Sequence, residues 1–357
     1  MTNWLVTGGA GFIGSNFILH MLGGYAGVNI INLDSLTYAG NLENLRAVDG
    51  RSDYKFIRAD ICDRDAVDDI FKAYDVARVI HFAAESHVDR SILEPEVFVR
   101  TNVLGTAVLL NAAMKHWMRG DGFAPGKKFV HVSTDEVYGS LPETGLFTES
   151  TPLDPRSPYS ASKAASDLLV KAYFETYGFP CVVTRCSNNY GPRQFPEKFV
   201  PLIIANALGG KMIPVYGDGK QVRDWLHVDD HARAVRLAAE YGAAGQVYNV
   251  GGQNERYNID VVRVILTALR ERLPDGDARK EHIDDGLIEH VADRKGHDRR
   301  YAIDASKIKT ELGWEPETAF EDGIAATVDW YLANGDWIKN VTSGEYLEYY
   351  EKNYNGR

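Results

Sequence analysis

Trp4-Leu5-Val6-Thr7-Gly8-Gly9-Ala10-Gly11-Phe12-Ile13-Gly14 is the stretch whose reading decides the fold. Trp4–Thr7 reads as a short buried strand, and Gly11–Leu22 as the helix that follows it. The glycines at 8, 11 and 14 permit a tight turn, the close approach of a pyrophosphate, and close packing of helix on strand. Val28–Leu33 reads as the next strand, and Asp34 ends it at about the twenty-residue spacing expected of a ribose-binding acid. A carboxylate at that place accepts hydrogen bonds from an adenosine ribose and repels a 2′-phosphate, which favours NAD over NADP.

The same rhythm runs outward from this unit. Tyr54–Arg58, Val79–Phe82, Phe129–Ser133 and Cys181–Thr184 read as further strands, with Asp63–Tyr74, Pro95–Trp117 and Tyr159–Tyr177 as helices between them. Apolar strands joined by helical crossovers imply a parallel sheet covered on both faces. The expected fold class is α/β: a Rossmann-type doubly wound parallel sheet with a smaller α/β substrate-binding domain. Residues 1–187 are taken as the NAD-binding domain, with 226–250 returning to it, and 188–225 with 251–357 as the substrate domain. That second half is punctuated by Gly- and Pro-bearing segments around the helix Phe199–Leu208. Asp60 and Ile61 follow the third strand, where an adenine ring would lie, although Asp60 could equally cap a helix. Gly120–Lys128 reads as a surface insertion.

Composition narrows the function. The 357 residues are 45% hydrophobic and 25% charged, with a net charge of −11. That charge argues against a nucleic-acid partner, which needs a basic face, but a diphosphate can still be held at a helix N-terminus. No apolar run approaches the roughly 18 residues that cross a bilayer, and the N-terminus lacks the basic region of a signal peptide. Cys62, Cys181 and Cys186 do not make a disulfide framework. The expected setting is cytoplasmic, with no membrane partner.

Tyr159-Ser160-Ala161-Ser162-Lys163 places Tyr159 and Lys163 at i and i+4, on one helical face, where an ammonium would favour tyrosinate. Ser133 and Thr134 leave the fifth strand, and a hydroxyl there can bond the sugar hydroxyl that Tyr159 deprotonates. With the glycine turn, these features resemble the extended short-chain dehydrogenase/reductase family. Asp135 and Glu136 come next, in a loop at a strand's carboxyl end, where ligands sit in open parallel sheets. A dehydratase needs two such groups, one acid to protonate a departing hydroxyl and one base to take a proton beside a ketone. Ser133-Thr134-Asp135-Glu136-Val137-Tyr138-Gly139 resembles the signature of the dTDP-glucose 4,6-dehydratases. So do Ala83–Asp89, Cys186–Pro192, Phe195–Lys198, Arg223–Trp225 and Asp293–Tyr301, and the likeness runs through the aromatic C-terminal tail. Two positions depart from the family's pattern: Lys295 stands in place of proline, and Arg193 in place of an aromatic.

The resemblance implies conversion of dTDP-glucose to dTDP-4-keto-6-deoxyglucose plus water. Tyr159 would take the O4 proton as C4 is oxidised, Glu136 the C5 proton, and Asp135 would protonate the leaving O6 hydroxyl before hydride returns to C6. NAD would stay tightly bound and be regenerated in each turnover. Thr134 would orient the sugar and Lys163 hold the nicotinamide ribose. By the same resemblance the cofactor is contacted by Gly8, Gly11, Phe12, Ile13, Gly14, Asp34, Ser35, Thr37, Asp60, Ile61, Ala83, Ala84, Thr101, Ser133, Tyr159, Lys163 and Asn189. The nucleoside-diphosphate glucose is contacted by Ser86, Thr134, Asn188, Lys198, Phe199, Pro214, Tyr216, Arg223, Asn258, Arg294 and His297, with Tyr216 against the base. A homodimer built on Pro95–Trp117 and Tyr159–Tyr177 is implied, although the stripe Val99, Val103, Ala107, Leu110 could instead face its own sheet. His81 reads as structural and His87 as supporting the site; no metal cluster is suggested. UDP-glucose 4,6-dehydratase and an NAD-dependent sugar-nucleotide 4-epimerase remain open at this point, as does a non-catalytic NAD-binding protein.

Overall fold

The computed structural model describes residues 1–293 and 297–341. Its main sheet has seven strands in chain order: β1 (Thr2–Thr7), β2 (Val28–Asp34), β3 (Tyr54–Arg58), β4 (Val76–His81), β5 (Lys128–Thr134), β6 (Cys181–Cys186) and β7 (Val247–Val250). They lie in the order β7-β6-β5-β4-β1-β2-β3, and every pairing is parallel. Alternate side chains feed two cores, as a pleated strand requires. Leu5, Ile31, Val79 and Phe129 pack on one face with Leu109 and Trp117, while Trp4, Val6, Ile30 and Val130 pack on the other with Phe17, Ala232 and Val235. The first core is roofed by α2 (Arg64–Ala73), α3 (Pro95–Trp117) and α4 (Pro158–Tyr177), the second by α1 (Phe12–Gly24) and α5 (Val228–Tyr241). This is the doubly wound Rossmann-type sheet expected from the sequence.

The strand order reverses between β1 and β4, so their following loops diverge and leave a crevice at the carboxyl edge of the sheet. Several expected elements change length. β4 begins three residues early at Val76 and ends at His81, and β5 and β6 extend to Thr134 and Cys186. The segment read as a surface insertion contains part of a two-stranded ribbon, Met118–Arg119 with Gly122–Phe123. Pro95–Trp117 is one 23-residue helix with a π-helical turn at Val99–Gly105. By length and composition it would suffice to cross a membrane, which the sequence reading assigned to no run; half of its most apolar stretch is buried against protein.

A smaller unit gathers around its own core of Tyr190, Trp225, Ile265 and Phe320. It holds a three-stranded sheet (Asn188–Tyr190, Val222–His227, Glu255–Tyr257), a parallel pair (Ile213–Tyr216 with Ile288–Val291), and the helices Phe199–Leu208, Asn258–Arg272 and Phe320–Ala333. Between two of these strands the chain returns through α5 and β7 to the large sheet. The aromatic C-terminal tail lies outside the described residues.

Candidate active site

A cavity of about 390 Å³ opens at the crevice. The turn after β1 forms its floor, and two of its glycines are required by contact. Gly8 has φ +70, and a Cβ there would lie 2.6 Å from Ala83 N; one on Gly14 would lie 2.3 Å from Gly8 O. Backbone therefore meets backbone where a pyrophosphate would rest. Asp34, at the end of β2, is buried and accepts from Ala10 N (2.9 Å) and Leu36 N (2.8 Å), which braces the turn. Burial pushes its carboxyl above the usual range. Gly8, Gly11, Phe12, Ile13, Gly14, Asp34, Ser35, Thr37, Asp60, Ile61, Ala83, Ala84, Thr101, Ser133, Tyr159, Lys163 and Asn189 all line this one cavity. A glycine turn, an acid at the second strand and an apolar slot at Ile61 together fit a dinucleotide.

Asn102 fixes the upper wall. Its amide donates to Glu85 O (3.0 Å) and Ser162 Oγ (2.8 Å), and its carbonyl accepts from Glu85 N (2.9 Å). One side chain thus ties the loop after β4 to α3 and to α4. His81 is buried between Thr7 Oγ1 (2.8 Å) and Thr106 Oγ1 (2.9 Å), and His87 caps Val88–Leu93 by accepting from Arg90 N. Among the described residues, no three His, Cys, Asp or Glu side chains gather as a metal site.

The chemistry concentrates where α4 meets the end of β5. Ser157 caps α4 in a reciprocal box: Ser160 N donates to Ser157 Oγ (3.1 Å) and Ser157 N to Ser160 Oγ (3.0 Å). Pro158 follows at the first helical position, so Tyr159 is set in a well-anchored first turn. One turn on, Lys163 is buried and donates to Val132 O at 2.8 Å. Thr134 caps a short 3-10 turn by accepting from Glu136 N (3.3 Å). Asp135 is 1% exposed while Glu136 is only half-buried.

Those exposures separate the two acids. Burial, then the charges of Glu136 and Asp224, raise the Asp135 carboxyl well above its ordinary value. A neutral Asp135 is a proton donor, and its Oδ2 has no protein partner among the described residues. Burial and then Glu136 push the Tyr159 phenol well above 10, and Lys163 is itself lowered by burial to about 8. Behind Lys163, Asp167 accepts from Arg185 Nε (2.8 Å) and sits 3.3 Å from His131 Nε2. Against the pull of its own burial, this carboxylate is held at about 2 by the hydrogen bond to His131 and the charge of the Arg185 guanidinium.

The sugar-nucleotide set is divided. Ser86, Thr134, Asn188 and Lys198 line the cavity, and Lys198 Nζ donates to Ser86 O at 3.2 Å. Phe199, Pro214, Tyr216, Arg223, Asn258 and His297 do not line it; they lie in the smaller unit. Phe199 stacks on Trp225 at 5.9 Å. Tyr216 meets His297 edge-on at 5.9 Å, and Pro214 shares its strand. Arg223 is buried, donates to Asp298 O (3.0 Å) and stands over the Tyr301 ring at 4.3 Å. Its charge reaches Asp135, which places this strand beside the acid pair. Asn258 Oδ1 is buried without a protein partner among the described residues. Arg294 lies outside the described residues. Tyr38, Glu85, Gln194 and Phe195 also line the cavity; sequence reasoning did not name them as site residues, although Glu85 and Phe195 fall inside quoted motifs.

The glycine turn, the buried Tyr159/Lys163 pair and the doubly wound sheet define the class as extended short-chain dehydrogenases/reductases. Within that class, residues 5–327 match the GDP-mannose 4,6 dehydratase family, and the chain belongs to it. The chain is 54% identical over 351 residues to the dTDP-glucose 4,6-dehydratase of Xanthomonas campestris pv. campestris, covering 97% of each. A crystal structure of dTDP-glucose 4,6-dehydratase from Bacillus anthracis in complex with NAD is similar at a TM-score of 0.84 and 48% identity, over 96% of this chain and 100% of that one. The Streptomyces venezuelae dTDP-glucose 4,6-dehydratase, also solved with NAD, is similar at 0.86 and 46%, over 95% and 100%.

Proposed function

We propose that the chain converts dTDP-glucose to dTDP-4-keto-6-deoxyglucose and water, as an NAD-dependent hydro-lyase. The observation that carries this reading is the acid pair: a buried Asp135 whose carboxyl is pushed up, beside a half-buried Glu136. Elimination needs one carboxyl protonated and its neighbour ionised, and two environments that differ this much supply that. An epimerase has no use for the pair.

NAD bound along the glycine turn supplies the hydride acceptor for C4 and the donor for C6. Tyr159 takes the proton from the glucosyl O4, with Thr134 holding that oxygen. The C4 ketone acidifies the neighbouring C5 hydrogen, and Glu136 takes it. Asp135 gives its proton to the O6 hydroxyl, which leaves as water, and C5 is reprotonated. Lys163 holds the nicotinamide ribose, and its positive charge is retained below about 8. Residues 1–187 with 226–250 serve the cofactor, and the remainder serves the nucleotide, with Arg223 suited by its planar fork to a diphosphate. Two copies pair through the outer faces of α3 and α4, and the cytoplasm is the expected setting.

The deciding experiment incubates the purified protein with dTDP-glucose and no added NAD. A product lighter by one water supports both dehydration and resident cofactor. No product, with NAD and UDP-glucose also tried, overturns the reading.

A further inference from the structure

Loop 191–198 carries Gln194, Phe195 and Lys198 into the cavity, and at its base stands a residue that local physics does not favour. Arg193 has φ +68, one of three positive-φ residues other than glycine among the described residues. Side chains with a Cβ rarely adopt that conformation. Its guanidinium is partly buried, and burial lowers its pKa. No carboxylate forms an ion pair with it among the described residues. A strained backbone bearing a partly buried charge persists only where surrounding contacts impose it, and such places cluster at functional sites.

Those contacts reach two elements outside the loop. Arg193 Nη1 donates to Asn16 Oδ1 at 3.0 Å, in the second turn of α1. The Asn16 amide answers by donating to Pro192 O (3.0 Å) and to Phe12 O (2.9 Å), one turn back toward the glycine turn. On its other side the guanidinium lies 5.5 Å from the centre of the Trp330 ring, in the helix Phe320–Ala333. The next residue of that helix, Tyr331, donates to Gln194 O at 2.5 Å.

We propose that Arg193 is a positioning residue that ties the substrate loop to the cofactor helix, so that cofactor retention and the placement of Lys198 depend on one clamp. The argument rests on the dehydratase reading for its substrate. Phe12 and Ile13 line the cavity from the turn of α1 whose carbonyl Asn16 grips, so a loosened clamp frees both walls together.

Arg193→Gly tests this cleanly, because glycine tolerates the left-handed conformation and the variant should fold. With NAD in excess, KM for dTDP-glucose should rise about tenfold with kcat little changed, the weight of one charge-assisted hydrogen bond. Bound NAD surviving gel filtration should fall below the wild-type content, and amide exchange across 194–198 should quicken. Unchanged KM, NAD content and exchange in Arg193→Gly would overturn the clamp while leaving the dehydratase reading intact. Wild-type protein that makes no product would sink that reading instead, and the exchange and retention data would still judge the clamp. If the glycine variant does not fold, Arg193→Gln carries the same three measurements.

Discussion

Asp135 and Glu136 are neighbours in sequence, yet one is buried and the other half-buried, and the proposed function gives them opposite work. Replacing Glu136 by Gln should leave O4 deprotonation possible but remove the base at C5. Product formation should drop by about 10²- to 10⁴-fold, the range for losing a general base, and solvent deuterium should no longer enter C5. Normal product from that variant would refute the assignment. Asp135→Asn should lose turnover by a similar factor but keep deuterium exchange at C5, because the base remains; a variant that still eliminates water would show Asp135 to be a bystander. The same substitution has a pH signature. Asp135 has a folded pKa raised above its unfolded value, so its contribution to stability is fully present below the ordinary carboxylate pKa of about 3.9 and is lost as pH rises through the folded value. Asparagine resembles the neutral acid at every pH. Relative to wild type, Asp135→Asn should therefore gain stability as pH rises above about 4, seen in paired denaturant midpoints. Asp224, also raised by burial, is one of the charges that raise Asp135, so relief of that repulsion is part of the expected gain. A pH-independent gap would mean that Asp135 is ionised in the folded protein.

At the scale of elements, what the sequence displays is what local contacts decide. β1, the glycine turn and α1 were legible because their constraint is short-range: Gly8 and Gly14 must clear backbone only a few residues away or across one strand. Gly14→Ala should push the turn open and leave purified protein without bound NAD, measured by acid extraction; full occupancy would show that the turn tolerates the methyl. α4 was legible too, though not the Ser157 cap that anchors it. Ser157→Ala should cost about 1 kcal/mol in chemical unfolding and lower kcat more than it raises KM, because Tyr159 sits in the capped turn. An unchanged kcat would separate the cap from the chemistry. The strand Asn188–Tyr190 was not foreseen, since three residues opening with two asparagines become a strand only by pairing with Trp225–His227. β4 was cut short for a related reason. Arg78 interrupts its apolar run, and the charge is accommodated because Nε donates to Ala239 O across the fold at 3.0 Å. Tyr38 and Gln194 reach the cavity with no periodic signal, and the raised pKa of Asp135 sums burial from several distant segments. Neither is written in any local window.

At the scale of the whole molecule, an apolar surface stands uncovered among the described residues. Ile92 (47% exposed), Leu93 (59%), Val99 (55%) and Leu104 (43%) stand out on Val88–Leu93 and α3, and Leu168 (57%) stands out on the neighbouring α4. The stripe expected from the sequence is split: Val99 is exposed and Val103 and Ala107 are half-buried, whereas Leu110 lies in the core beneath them. A shallow groove along Pro95, Val99, Val103, Leu104 and Ala107 is almost wholly apolar in its lining. Water-facing patches of this kind mark association surfaces, and a second copy of the same two helices matches it in length and character. Leu104→Asp should place an unpaired charge at the centre of that contact, costing about 2 kcal/mol or more, equivalent to about thirty-fold in Kd. Light scattering should then find the 39.7 kDa protomer at concentrations where the proposed dimer gives wild type an expected mass of twice that. Tyr241→Asp, at a position 67% exposed on α5, should remain dimeric and controls for added charge. Because Thr101 lines the cavity from the same helix that carries Leu104, separation of the copies should also loosen one wall of the cofactor site. Leu104→Asp protein should release NAD more readily on dilution than wild type. A variant that stays dimeric would move the interface elsewhere; one that becomes monomeric yet keeps its NAD would show that each cofactor site stands without its neighbour.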